Sequence, residues 1–302
     1  MQKRIRSLTP YLFSSPFLLL MIVFMLVPFL LNVVLSFTNY SLSSTTMKFI
    51  GLANYINFFS DRALVEVIVK TFIFTAGCLI LSMLLGIFFA ITMTFRIGGI
   101  NLIKAIVLLP WIIPESVTAY VWRWLFATDS GIVHYWLVQV GAISPDTSFF
   151  VNGQLAMWMI IMSNAWRTAP FVAIMTYAKL KSLPEEQLQA AKIDGANIAN
   201  TFLYITIPWI APILNRCAML LFVWSFNSFT IIYIMTYGGP AGATTTLPFF
   251  IRQVAFKHYN FGQACALSVI TLVIICVCIL IFRLIARLIS NRNAAGRVFN
   301  EA

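Results

Sequence analysis

Apolar residues in this chain fall into long blocks, not at the alternating or three-to-four spacing of a half-buried strand or helix. Six blocks can be followed in order, at about 13–37, 65–94, 104–126, 155–180, 208–236 and 264–288. A helix needs roughly 20 residues to cross a bilayer, so each block is long enough, some with tilt to spare. The pattern predicts an all-α integral membrane protein with six transmembrane helices joined by modest loops. Pro110 and Pro114 lie inside the third block, which predicts a kink there. Two of the loops, 51–60 and 247–259, are expected to form short helices on the membrane surface. No solenoid repeat, low-complexity tract or long linker interrupts the pattern, so residues 1–302 read as one membrane domain. The first block exceeds the usual 7–15 residues of a signal-peptide core. No alanine precedes Ala53 to build an alanine-type cleavage site, so that block is read as a retained span.

Composition strengthens this reading. Of 302 residues, 61% are hydrophobic and 10% are charged, against about 25% charged in ordinary soluble domains. The few charges orient the chain. Starting from an inside N-terminus, the cytoplasmic side receives Lys3, Arg4, Arg6, Arg96, Lys104, Lys179, Lys181, Lys192, Arg283, Arg287, Arg292 and Arg297. The opposite side receives Lys48, Arg62, Lys70, Arg123, Arg252 and Lys257. This bias predicts that both termini are cytoplasmic. The net charge of +11 is then mainly a topology signal. It does not indicate nucleic acid as a partner, because the basic residues form no groove-lining stripe. The five cysteines, Cys78, Cys217, Cys265, Cys276 and Cys278, all fall within blocks and imply neither a metal clip nor a disulfide framework. His134 and His258 read as ordinary residues of external segments.

The cytoplasmic segment 181–207 carries the most local information. Ser182 followed by Glu185 has capping-box spacing, and Pro184 suits a helix start. Glu185 and Glu186 fall where the helix dipole favours negative charge. Gly195 is placed to end that helix in a left-handed cap. A second short helix is expected from 197 to 205, stopped before Pro208. Two short helices around a glycine turn, with small Ala190, Ala191 and Ala196, make a knob that another protein can approach closely.

Gln189-Ala190-Ala191, Asp194-Gly195-Ala196, Phe202, Ile205 and Pro208 together resemble the "EAA" loop of permease subunits in bacterial ABC importers. Phe49-Ile50-Gly51-Leu52-Ala53-Asn54-Tyr55 resembles the external segment after the first span in carbohydrate-type permeases. Gly238-Gly239-Pro240 with Thr244-Thr245-Thr246-Leu247 is similar to the segment after the fifth span, and Gly262 with 264–268 to the start of the sixth. The combination points to the maltose and glycerol-phosphate branch. The resemblance implies the type I importer permease fold in the bacterial cytoplasmic (inner) membrane. It implies a second homologous permease subunit, an ATPase subunit dimer holding ATP and Mg, an extracytoplasmic solute-binding protein, and contact with membrane lipid. It implies no cofactor in this chain and no catalysis by it. The ATPase-coupling residues would be Glu185, Glu186, Gln189, Ala190, Ala191, Asp194, Gly195 and Ala196. Gln189 departs from the usual glutamate, which replaces a charge-assisted contact with a weaker amide one. The chain has no G-x-x-x-x-G-K-[ST] run to cradle nucleotide phosphates, so under this reading hydrolysis belongs to a partner.

Polar residues inside spans are costly and usually face a bundle interior or a water-filled cavity. Glu115 lies about midway along the third block and Arg167 midway along the fourth, where they are expected to face each other. The resemblance extends a substrate path to Trp224, Ser225, Asn227, Ser228 and Tyr233, and to Asn164, Trp166 and Arg167. Amides and hydroxyls bond sugar hydroxyls, and aromatic rings stack on a sugar's apolar face. Helix packing also explains polar span residues. Two other function classes are weighed. An ion-coupled secondary transporter needs coupling carboxylates or histidines at midplane and often an internal repeat; Glu115 alone meets the first requirement. A membrane scaffold needs the spans but not the joint loop signatures.

Overall fold

The computed structural model describes residues 13–42, 46–60, 62–95 and 98–300. Lys3, Arg4, Arg6 and Arg96 of the charge count lie outside them, as do the side chains of Arg62, Arg287, Arg292 and Arg297. The described residues form helices and no strand. The helices are α1 (Phe13–Leu35), α2 (Ala53–Ser60), α3 (Arg62–Thr92), α4 (Ile100–Ile112), α5 (Glu115–Leu125) and α6 (Ile132–Gln139). They continue as α7 (Gly153–Lys181), α8 (Glu185–Ile193), α9 (Ile198–Phe226), α10 (Thr230–Met235), α11 (Leu247–Phe256) and α12 (Phe261–Asn300). The two expected short helices are present as α2 and α11.

By length and apolarity, 4 helices among the described residues can cross a membrane: α1, α3, α9 and α12, with α4 and α5 together making a fifth if their bent pair is one span. The expectation of six is met only to that extent on these grounds. Helix α7 has the length, at 29 residues, but buries Ser163, Asn164, Thr168 and Thr176 among its apolar residues.

Three local expectations are corrected. The third block does not kink but breaks: α4 and α5 meet at 102°. Ile113, placed before Pro114, is forced into extended backbone (φ −70°, ψ 130°), which ends α4. Pro110, by contrast, stays inside α4. Pro208 does not stop a short helix, because α9 runs through it. The turn Phe202–Thr206 widens so that the Ile207 N–H bonds to the Phe202 carbonyl, five residues back. The wider turn relieves the clash between the proline ring and the preceding turn. The same device precedes Pro28, where the Val27 N–H reaches Ile22 O. Finally, Ser182 forms no capping box. Its hydroxyl donates back to Lys179 O at 2.8 Å, and Pro184 itself stands at the N-cap of α8.

The chain forms two compact units, Met1–Val65 with Phe250–Ile274, and Glu66–Phe249 with Ile275–Ala302. In the first, Asn54 is the buried centre: its Nδ2 donates to the carbonyls of Ser36 and Thr38, both at 2.9 Å. The Tyr55 and Ser36 hydroxyls share a 2.6 Å bond, and backbone bonds from Leu42 to Tyr259 and from Gly262 to Tyr40 join the two chain segments.

In the second unit α7 is the axis, packed on α4 and α9. Ala156, Ala165, Ala169 and Ala173 are fully buried, so small side chains let neighbouring backbones close in. The approach is tightest at Gly86 of α3. A Cβ there would lie 2.7 Å from Val172 Cγ1 and 2.9 Å from the Ala169 carbonyl. Gly86→Ala is therefore expected to destabilise the protein by about 1–3 kcal/mol through overpacking. Val172→Ala should recover part of the loss. Melting temperatures of the three variants in one detergent check this, and an unchanged Gly86→Ala value would refute it.

Candidate functional site

Helix α5 starts immediately after the Pro114 break, which puts Glu115 in its first turn. Its carboxylate is favoured there by the helix dipole. On α7, Asn164 and Arg167 lie one turn apart on the face turned towards it. Arg167 Nη2 stands 3.7 Å from Glu115 Oε2, with side chains 19% and 27% exposed, so the expected facing pair is observed. Arg167 Nη2 also donates to Asn164 Oδ1 at 3.2 Å. Asn164 Nδ2 donates to Ser225 Oγ on α9 at 3.3 Å.

The expected fifth block is interrupted at the same place. Helix α9 ends at Phe226, and the chain turns through Asn227, Ser228 and Phe229 before α10 begins. From that turn the Ser228 hydroxyl donates to Glu115 Oε1 at 3.0 Å. Glu115, Asn164, Arg167, Ser225 and Ser228 thus form one polar network, two sets of hydrogen bonds joined by the ion pair. It joins two helix breaks to the unbroken α7. Arg123 adds a second tie, donating to Ile234 O at the C-terminal end of α10, where a cation is favourable.

The other proposed path residues show different contacts. Asn227 bonds its own helix at Val223 O (2.9 Å). Trp224 packs edge-on against Phe171 with centroids 4.9 Å apart, and Trp166 packs against Trp122 at 6.1 Å. Tyr233 stacks on Phe229 at 5.2 Å and neighbours Tyr237 and Phe249. His134 is buried and its Nε2 pairs with Thr147 O, in keeping with a structural role. Among the described residues no His, Cys, Asp and Glu group is placed to hold a metal ion.

At the opposite end of α7 lies α8. Its C-terminus carries both bonds of a Schellman cap, from Ala196 N–H to Ala191 O and from Gly195 N–H to Lys192 O. Gly195 has φ +78°, as the left-handed cap requires. Glu185, Glu186, Gln189, Ala190, Asp194 and Gly195 are exposed, whereas Ala191 is buried and Ala196 half-buried. The segment also exposes large apolar side chains that were not singled out from sequence: Ile193 is 86% and Ile198 91% exposed. Their apolar character was visible, but which face of each short helix lacks a neighbour is a tertiary property.

Residues 82–294, which include both the network and α8, match the family model described as the binding-protein-dependent transport system inner membrane component. The trehalose/maltose transport system permease protein MalF of Thermococcus litoralis is 30% identical over 268 residues, covering 88% of this chain and 89% of that protein. The sn-glycerol-3-phosphate transport system permease protein UgpA of Escherichia coli is 27% identical over 269 residues, covering 89% and 90%. A solved bacterial alginate ABC transporter, in complex with an alginate pentasaccharide-bound periplasmic protein, superposes with a TM-score of 0.83. It is 19% identical and covers 95% of this chain and 97% of its own, a likeness of fold. The match over most of the sequence shows that this chain belongs to the family of binding-protein-dependent transport system inner membrane components.

Proposed function

We propose that the chain is the permease subunit of an ATP-driven, binding-protein-dependent importer for a sugar or sugar-like solute. In this reading the whole of residues 1–302 acts as one permease domain in the bacterial inner membrane, crossing it six times with both termini cytoplasmic. The observation that carries the reading is the exposed α8, closed at its C-terminus by a two-bond cap, in a chain of this family. It gives a rigid, outward-facing knob with unburied apolar side chains, which mark an interaction surface. The sugar-like solute rests on the relatives named for trehalose/maltose and sn-glycerol-3-phosphate transport.

Helices α7 and α9 run directly into α8 from either side, and the Trp209 Nε1–H of α9 donates to Lys179 O of α7 at 3.1 Å. A push on α8 from a closing ATPase dimer loaded with ATP and Mg therefore bears on both helices at once. Arg167 is 14 positions from Lys181, so at 1.5 Å per residue the push acts about 20 Å from the network. There α7 and α9 share the Asn164–Ser225 bond. Alternating access then consists of α7 and α9 shifting against α5 and α10, the segments beyond the two breaks. The solute passes Asn164, Trp166, Arg167, Trp224, Ser225, Asn227, Ser228 and Tyr233, with the remainder of the path supplied by a second homologous permease. A soluble binding protein delivers it to the external face.

Affinity purification of the full chain from its native membrane tests this. An ATPase and a second permease should co-purify, and the reconstituted complex should take up a radiolabelled sugar only with ATP inside and binding protein outside. Uptake by the chain alone, driven by an ion gradient, would instead establish a secondary transporter. Isolation without an ATPase and without uptake would leave a scaffold.

A further inference from the structure

Three lysines gather at the α8 end of α7, and none of them serves the transport network. Lys104, near the start of α4, donates from Nζ to the Tyr177 hydroxyl at 2.9 Å and lies 4.8 Å from that ring's centroid. Lys181 approaches the same ring at 5.9 Å. Lys179 sits 3.9 Å over the Trp209 ring. The ion pairs Glu66–Lys70 and Glu115–Arg167 lie elsewhere and engage none of these three ammonium groups.

Two like charges drawn to one aromatic ring repel each other, and a shared anion relieves that repulsion. The surroundings specify which anion. Tyrosine and tryptophan at the end of long helices are the side chains of a membrane–water interface, and lysines there place their ammonium groups at headgroup level. Basic pockets between helices on the cytoplasmic side are suited to anionic lipid headgroups.

We propose that Lys104, Tyr177 and Lys181, flanked by Lys179 and Trp209, bind the phosphate of an anionic phospholipid. The proposal rests on reading these helices as bilayer spans. The site lies one residue from Ser182, where the chain leaves α7 for α8. A bound headgroup would brace the base of α8 by bridging α4 and α7.

Native mass spectrometry of the full chain, released from micelles doped equally with phosphatidylglycerol and phosphatidylcholine, tests it. Each lysine near an anionic surface is worth roughly fivefold in affinity. Wild type should retain phosphatidylglycerol preferentially, and Lys104→Gln/Lys181→Gln should reduce that preference roughly 20- to 30-fold. Lys104→Arg/Lys181→Arg should keep it, which separates loss of charge from loss of fold, and Lys48→Gln/Lys257→Gln should leave it unchanged. Equal retention of both lipids by wild type, or an unaltered preference in the glutamine variant, overturns the site while leaving the bilayer reading intact. Displacement of the lipid by millimolar inorganic phosphate would assign the site to a small soluble anion and overturn it as a lipid site.

Discussion

Gly195→Pro is expected to abolish stimulation of ATP hydrolysis by the binding protein in the vesicle-reconstituted complex, and a deletion of residues 185–196 should do the same. Gly195 stands at φ +78° and gives its N–H to Lys192 O. Proline holds φ near −65° and has no N–H, so it removes both the left-handed turn and one bond of the cap. The Ala196–Ala191 bond depends on the same turn and is lost with it. Helix α8 would then leave α7 at another angle, and its exposed face would no longer meet a partner in register. Gly195→Ala is the graded control. A Cβ there meets nothing within 4 Å, so the change carries only the left-handed backbone penalty, roughly 1–2 kcal/mol. Stimulation should be reduced but retained. The measurement is hydrolysis with and without binding protein for each variant. Full stimulation after deletion of 185–196 would remove the coupling role from this segment.

The second large effect is expected at the ion pair. Glu115→Arg places two guanidinium groups where the wild type has a carboxylate 3.7 Å from a guanidinium, and it also removes the acceptor for Ser228. Breaking one side of a partly buried pair costs roughly 3 kcal/mol or more, enough to lower uptake about 100-fold if the network must form in the transport cycle. Adding Arg167→Glu restores opposite charges across the same gap and should recover a large part of uptake. Ser228→Ala, which deletes a single hydrogen bond, should cost about 1 kcal/mol and leave most activity. These outcomes separate two roles. Recovery by the double exchange assigns the pair to locking α5 against α7. No recovery, with the complex still assembled, would assign Arg167 to the solute.

Much of this architecture is legible in one dimension because apolar block length is a local quantity. A run such as 65–94 has to be satisfied by a single helix wherever it packs, and α3 occupies nearly the same residues. The same holds for the stop at Gly195, since a left-handed cap is a property of one residue and its immediate neighbours. The facing of Glu115 and Arg167 was also within reach. Each is a rare charge midway along its block, and a buried charge needs a partner.

The misplaced features share a physical cause: each sets one rule against a competing arrangement of similar energy that the local pattern does not rank. Pro114 and Pro208 carry the same chemistry, yet one breaks its helix and the other is absorbed by a widened turn. The sequence around each does not say which neighbour will accept the freed backbone groups. Ser182 had the spacing of a cap, but its hydroxyl found the Lys179 carbonyl first. The meeting of Ser228 with Glu115 spans 113 positions, and that of Asn164 with Ser225 spans 61. The sequence by itself determined the helical membrane class, most of the segment limits, the loop and its glycine cap, because burial length and turn chemistry act over a few residues. Only the tertiary structure decided which breaks become joints and which polar side chains share one network, because those outcomes depend on what a distant helix brings within hydrogen-bonding distance.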